Sequence, residues 1–242
     1  MIDSNTAPVK NTERDDISDL QEQLFSQPEK KQLQLLDQLA SYGSESLPAI
    51  AEFLRAQRGQ TANPVMGKAH QILDQAKTPE TQEFLDRQFP ESLVTLESEK
   101  NIDYQPLARA LLNRDFFGAD RLTLEKLCEL AGEAAIKRKW LYFSEVDKFP
   151  VADLQTIDRL WFVYSEGRFG FSVQREIWLA RGQDFSKLWS KIGWRTGNNW
   201  TRYPHEFIWN SSAPRGHLPL SNQLRGVRVI ASLLSHPAWS KD

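Results

Sequence analysis

The chain is nearly empty of the residues that most catalytic and metal sites need. Among its 242 residues are one cysteine, Cys128, and four histidines, His70, His205, His217 and His236. A single cysteine forms no internal disulfide, builds no thiolate metal cluster and makes no two-cysteine haem attachment; a lone thiol fits a reducing compartment. No two histidines have the spacing that lets one helix face hold a metal. Also missing are a phosphate-binding loop, a dinucleotide glycine fingerprint and a nucleophile elbow. Gly167-Arg168-Phe169-Gly170 has two glycines but no preceding strand, and it reads as a turn. No apolar run is long enough to span a bilayer. Charge of one sign is not in excess either. Thirty basic against 32 acidic residues leave a formal charge of −2 and no bulk attraction to nucleic acid or to an acidic membrane. Cys128, in Leu127-Cys128-Glu129-Leu130, reads as a small core residue. Asp153 and Asp158 fall on different helix faces, the first in a first turn and the second in solvent, so they form no carboxylate pair. An enzyme receives no positive support from this inventory.

What is present is unevenly spread. A hydrophobic fraction of 40% and a charged fraction of 26% describe a globular chain, long enough for two domains. All eight tryptophans, Trp140, Trp161, Trp178, Trp189, Trp194, Trp200, Trp209 and Trp239, fall in the second half. The two halves therefore meet different packing demands. Residues 1–15 are polar and read as a disordered lead-in. They have no apolar core for a secretory signal, and Asp3, Glu13 and Asp15 make them too acidic for a chloroplast transit peptide. That fits a protein working where it is made, or one whose transit peptide has been removed.

Helical periodicity dominates both halves. Ser26-Gln27-Pro28-Glu29 has the form of a capping box, followed by Leu33, Leu36 and Leu39 at helical spacing and a stop at Gly43. Ser46 before Pro48 opens a helix carrying Ile50, Phe53 and Leu54 to Gly59. Two more helices follow, Lys68 to Ala76 and Thr78 to Phe89. Short connections predict an antiparallel helical bundle over residues 16–90. The polar stretch 91–103 reads as a linker. Residues 104–239 form the second domain, opening with a helical hairpin, Tyr104–Leu112 and Asp115–Leu130. Helices are then expected over Val151–Ser165, Phe171–Arg181, Phe185–Trp194 and His217–Ser235. Between the last two lies a long loop, Arg195–Gly216, holding Trp200, Arg202, Tyr203, Phe207 and Trp209. Loops of this length are uncommon in compact domains unless they carry a function.

The expected last helix contains Asn222, Arg225 and Arg228, which helical spacing puts on one ridge. Two guanidinium forks on one face suit a ligand with two carboxylates, though exposed arginines more often pair with nearby acids or simply solvate a helix. Gly226 between them costs about 1 kcal/mol in a helix interior and is explained by close approach of a flat ligand or another backbone. A long aromatic loop beside a two-arginine face describes a site for a flat apolar ring with acidic tails. The competing reading is a helical interaction scaffold with no pigment ligand of its own.

The ordered motifs Gly118-Ala119-Asp120, Trp140-Leu141-Tyr142-Phe143, Phe149-Pro150-Val151-Ala152-Asp153-Leu154, Ile157-Asp158-Arg159-Leu160-Trp161, Arg168-Phe169-Gly170-Phe171-Ser172-Val173-Gln174 and Gly216-His217-Leu218-Pro219-Leu220 through Arg228 resemble the Genomes-Uncoupled-Four family over about residues 104–239. The resemblance implies an all-α fold, with an N-terminal antiparallel helical bundle and a C-terminal all-helical core that takes protoporphyrin IX and magnesium-protoporphyrin IX. It implies a non-catalytic regulator of chlorophyll biosynthesis that stimulates magnesium chelatase through the H subunit. Arg225 and Arg228 would meet the propionates, Arg202 and Tyr203 would lie in a loop over the ring, and Phe143 and Trp200 would make further ring contacts. Some relatives carry tryptophan where this chain has Tyr203. Asn222 is a polar candidate toward the metal or a bound water. The N-terminal bundle resembles cyanobacterial members, and with it comes an expected cyanobacterial cytoplasmic location with peripheral membrane association.

Overall fold

The computed structural model of the chain describes residues 8–221 and 227–240. Among them are thirteen α-helices and one minimal β-hairpin, an all-α architecture. The chain divides into two compact units, Met1–Leu93 and Val94–Asp242.

The first unit holds α1 (Pro8–Ser26), α2 (Glu29–Ser41), α3 (Leu47–Ala56), α4 (Pro64–Ala76) and α5 (Pro79–Gln88). Its axis is α4, which buries Val65, Met66, Ala69 and Leu73 and also Lys68, His70 and Gln71. A helix covered on nearly every side is a central one, and α2, α3 and α5 all pack on it. Local chemistry sets where it starts. Pro64 occupies the first turn, and Asn63 Oδ1 accepts the Met66 N–H at 3.0 Å. Thr78 caps α5 in the same way. Leu24, Leu35, Leu36, Leu39, Ile50 and Leu54 complete an aliphatic core, and the Lys68 ammonium sits 2.7 Å from Asp37.

Two expectations change here. Ser26 ends α1 and turns its hydroxyl to the Glu22 and Gln23 carbonyls, while α2 starts from Pro28 without a side-chain cap. Of the expected lead-in 1–15, residues 8–15 belong to α1, and residues 1–7 lie outside the described residues. Once Ile17 and Leu24 are buried, each residue added N-terminally gains a backbone hydrogen bond without a new nucleation cost.

The second unit comprises α6 (Gln105–Leu112), α7 (Phe116–Ala131), α8 (Glu133–Arg138), α9 (Phe143–Val146), α10 (Val151–Tyr164), α11 (Phe171–Ala180), α12 (Phe185–Lys191), β1 (Arg195–Thr196), β2 (Asn199–Trp200) and α13 (Arg228–Ser235). Its axis is α10, with Leu154, Ile157, Leu160, Trp161 and Val163 fully buried. The Trp161 indole N–H reaches Thr123 Oγ1 on α7 at 2.8 Å, and its ring stacks on Phe116.

Of the polar stretch 91–103, which reads as a linker, residues 97–100 are bound into this unit. Asp153 on α10 is fully buried and accepts from Ser98 Oγ, from the Glu99 N–H at 3.0 Å and from the Tyr104 hydroxyl at 2.8 Å. Thr156 Oγ1 donates to the Glu97 carbonyl, and Lys100 Nζ to the Leu130 carbonyl. A segment can look solvated in sequence and still be held by side-chain hydrogen bonds that only the fold supplies. Asp158 is likewise buried and not solvated. It accepts the Ser172 N–H at 2.8 Å. A Cβ on Gly170, whose φ is +129°, would lie 2.6 Å from that carboxylate oxygen, so a side chain is excluded there on two counts.

The last helix is shorter than its periodicity suggests. Residues 217–221 are irregular, and α13 begins at Arg228. Pro219 lacks an N–H and disfavours helix in the residue before it. The segment is held by side chains instead. Gln174 Nε2 donates to the Gly216 and Pro219 carbonyls, and Asp120 Oδ1 accepts the Leu220 N–H at 2.6 Å.

Candidate ligand-binding site

One wall of the site is α7. Asp115 Oδ1 accepts the Gly118 N–H at 2.8 Å and starts the helix; a Cβ on Gly118 would collide with that carboxylate. Ala119 and Thr123 face the core. The opposite face supplies Arg121, Leu124, Glu125, Cys128 and Glu129 to a cleft of about 720 Å3, completed by Ile136, Lys139 and Tyr203. That volume lies within the range of small-molecule sites. The cleft is apolar along Leu124, Cys128, Ile136 and Tyr203 and carries both charge signs around them. Burial pushes the Cys128 thiol up to about 11, against the pull of Arg138, so it stays a neutral part of the wall. Ile136 and Tyr203 are 47% and 48% exposed, a large apolar surface to leave in water without a use.

From Lys139 the chain runs directly to a second feature. Phe143 opens α9, which packs against α13. The Arg228 guanidinium lies over the Phe143 ring, 5.4 Å from its centroid. Both side chains are exposed. The structure thus brings together two residues that are far apart in sequence, one a ring contact and the other a carboxylate partner among the expected site residues.

The aromatic loop is folded, not open. β1 and β2 pair Arg195 with Trp200 and Thr196 with Asn199. Trp200 is 5.9 Å from Trp189, which stacks almost parallel on Trp194 at 5.2 Å. Buried His217 ties the loop together: its Nδ1 is 2.6 Å from the Ile192 carbonyl, and its Nε2 accepts the Ile208 N–H at 3.1 Å. That pattern requires the neutral ring with its proton on Nδ1, in keeping with burial pulling its pKa down. The Trp194 indole donates to the His217 carbonyl at 2.7 Å. Phe207 is core.

The expected site residues therefore separate. Tyr203 lines the cleft. Phe143 and Arg228 form a contacting pair. Trp200 turns to Trp189 and to the Arg195 guanidinium. Arg202 is 85% exposed, 3.9 Å from Glu206, whose carboxylate also accepts the Arg202 N–H. Asn222 and Arg225 lie outside the described residues. Sequence reasoning missed Leu124, Ile136 and Lys139, whose apolar or cationic character on an otherwise solvated helix face was the available signal. It also missed Gln174 and His217 as loop anchors, because their partners are distant in sequence. Among the described residues no group of three or more His, Cys, Asp or Glu side chains could hold a metal ion. No helix among them is long and apolar enough to cross a membrane.

With this geometry in hand, comparison with known proteins gives two matching family models. Residues 97–237 match the GUN4-like family, and residues 9–90 match an ARM-like repeat domain, GUN4-N terminal. A Ycf53-like protein of Synechocystis is 48% identical over 229 residues, covering 94% of this chain and 98% of its own length. The tetrapyrrole-binding protein of Arabidopsis thaliana, chloroplastic, is 42% identical over 146 residues, 57% of this chain and 55% of that one. Among solved structures, GUN4 from Chlamydomonas reinhardtii aligns with a TM-score of 0.58 at 41% identity, covering 61% of this chain and 97% of the other. The ligand-free Arabidopsis GUN4 aligns with a TM-score of 0.54 at 42% identity, covering 58% and 99%.

Proposed function

The chain belongs to the GUN4-like family, and from that premise we propose that it binds protoporphyrin IX and magnesium-protoporphyrin IX through its second unit and stimulates magnesium chelatase without inserting the metal itself. The observation that carries the reading is the cleft of α7, α8 and Tyr203, with the Phe143–Arg228 pair four residues along the chain from its Lys139 edge. A flat macrocycle needs apolar and aromatic surface left exposed in the free protein, and Ile136, Tyr203 and Phe143 supply it, with half-buried Leu124 in the same cleft wall as Ile136 and Tyr203. Apolar burial then gives most of the affinity, at about 25 cal/mol per Å2. A propionate needs a cation that is not already committed to a buried acid, and Arg228 sits against an aromatic face instead. Arg225 is proposed as its partner, with Asn222, Arg202 and Trp200 as secondary contacts. The chelatase H subunit is the proposed protein partner, in a cyanobacterial type of cytoplasm with peripheral membrane association.

The chemistry of the ligand site supports a carrier or regulator. Cys128 is a neutral wall residue, and buried His217 uses both ring nitrogens to hold the loop, so neither is poised for proton or group transfer. A second reading, an interaction scaffold without pigment, draws its support from the ARM-like description of the first unit. One titration separates the two. Adding protoporphyrin IX should quench tryptophan emission and shift the Soret band, and replacing Arg225 and Arg228 together with alanine should weaken binding by roughly tenfold or more. No quenching and no spectral shift would leave the scaffold reading.

A further inference from the structure

We propose that Arg138 is the positioning residue of this site, holding the Trp140–Phe143 connection in the conformation that presents Phe143 to the ligand and to Arg228. The proposal rests on the porphyrin reading above.

Arg138 closes α8, and its guanidinium meets a carbonyl, a carboxylate and two aromatic rings. Nε donates to the Trp140 carbonyl at 3.0 Å, and a terminal nitrogen meets Glu145 Oε2 at 2.6 Å. Its Cζ lies 4.5 Å from the Trp140 ring centroid and 4.3 Å from that of Tyr142. The same Glu145 oxygen accepts the Tyr142 N–H at 2.7 Å. The four residues from Lys139 to Tyr142, between α8 and α9, belong to no helix or strand. A planar fork with aromatic rings near it fixes such a turn in a way that a lysine, a compact point charge, does not.

The consequence falls on Phe143. That ring is 41% exposed, an unusual position for phenylalanine, and it is held by the turn before it and by the Arg228 guanidinium beyond it. The turn also starts at the cleft, since Lys139 and Ile136 line it. Arg138 itself does not line the cleft; it acts through the residues that do. A side chain committed to one carboxylate, one carbonyl and two rings is spent on conformation and is not a propionate partner.

The test is a double-mutant cycle on the full chain, with protoporphyrin IX as the probe. R138A should weaken binding roughly five- to tenfold, and F143A by a similar factor. The double variant should bind no more weakly than F143A alone, because Arg138 acts through Phe143. R138K should recover only part of the loss, and the induced circular dichroism of the bound Soret band should change in R138A, reporting a re-oriented ring. E145Q, which frees the other end of the fork, should behave like R138A and decides the matter if R138A does not fold. Hydrogen exchange of the Tyr142 amide in the ligand-free protein adds a readout independent of porphyrin: it should be slow in the native chain and fast in R138A. Multiplicative losses, or an unchanged affinity in a folded R138A or E145Q, would overturn the proposal. Failure of the native chain to bind porphyrin would instead overturn the functional reading, and the Tyr142 amide would still report on the turn.

Discussion

The two units solve the same problem with different materials. Each is built around one helix buried on almost every side, α4 in the first and α10 in the second. The first surrounds its axis mainly with leucine, isoleucine and alanine, and α4 and α5 start from local side-chain caps. The second uses tryptophan and phenylalanine, and it buries Asp120, Asp153, Asp158, Gln174 and His217 as anchors for segments that have no regular structure. An aliphatic core makes a fold and little else. Long irregular segments need buried polar groups to satisfy their backbone, and such segments can present side chains outward, as Tyr203 and Phe143 are presented here.

One of the two largest breaks in this comparison should come from Asp153→Ala. It strands the buried Tyr104 hydroxyl and takes the acceptor from the half-buried Ser98 hydroxyl and the Glu99 N–H, a loss of about 2–4 kcal/mol. Because all eight tryptophans lie in the second unit, denaturant unfolding followed by tryptophan emission reports that unit, and its midpoint should fall. Leu36→Ala is the counterpart in the aliphatic core and should cost about 2–5 kcal/mol. It should lower the far-UV circular dichroism transition of the first unit while porphyrin affinity stays as in the native chain. A changed affinity would mean that the first unit contributes to the site. Tyr203→Ala removes a ring that is half exposed, so stability should move by no more than about 0.5 kcal/mol. Porphyrin affinity should nonetheless fall severalfold, and equal affinity in a fluorescence titration would put the ligand elsewhere.

The pH dependence separates the units in another way, because His70 in the first and the two buried carboxyls in the second should respond with opposite signs. Burial lowers His70 in the first unit to about 4. The unfolded chain then takes up a proton that the fold does not, and stability is lost as pH falls from about 6.5 toward 4. In the second unit burial raises Asp120 to about 7 and Asp158 to about 6. Here the fold holds protons that the unfolded chain releases, so their contribution is full below about pH 4 and is lost as pH rises through 6 to 7. His217 and His236, both lowered by burial, pull the other way, so the Asp120 share is read as the difference between the native chain and D120N across pH 4–8. A D120N profile parallel to the native one would show that Asp120 does not titrate in this window.

How much of this was legible in the sequence follows from the range over which each feature is encoded. Helices announced by periodicity and a local cap, such as α5 with Thr78 and α7 with Asp115, needed nothing beyond a few neighbouring residues. The part of the 91–103 linker reading that covers 97–100 and the long last helix missed their anchors for a common reason. In both, the deciding partner is far away in sequence: Asp153 for Ser98, and Asp120 and Gln174 for the 216–220 segment. Among the site residues, the aromatic loop and the arginines stood out as types, but type did not reveal that Trp200 packs on Trp189 while Tyr203 faces the cleft.

The sequence by itself determined the helical class, the uneven distribution of aromatics, the motif order that identifies the family and the poverty of catalytic groups. Those are properties of residue identity and local spacing, which the chain carries before it folds. Only the tertiary structure decided which aromatic rings become core and which stay exposed, which carboxylates are buried, and that Phe143 meets Arg228. Such choices are made by burial and by hydrogen-bond partners brought together from distant positions, and a local pattern contains no term for them.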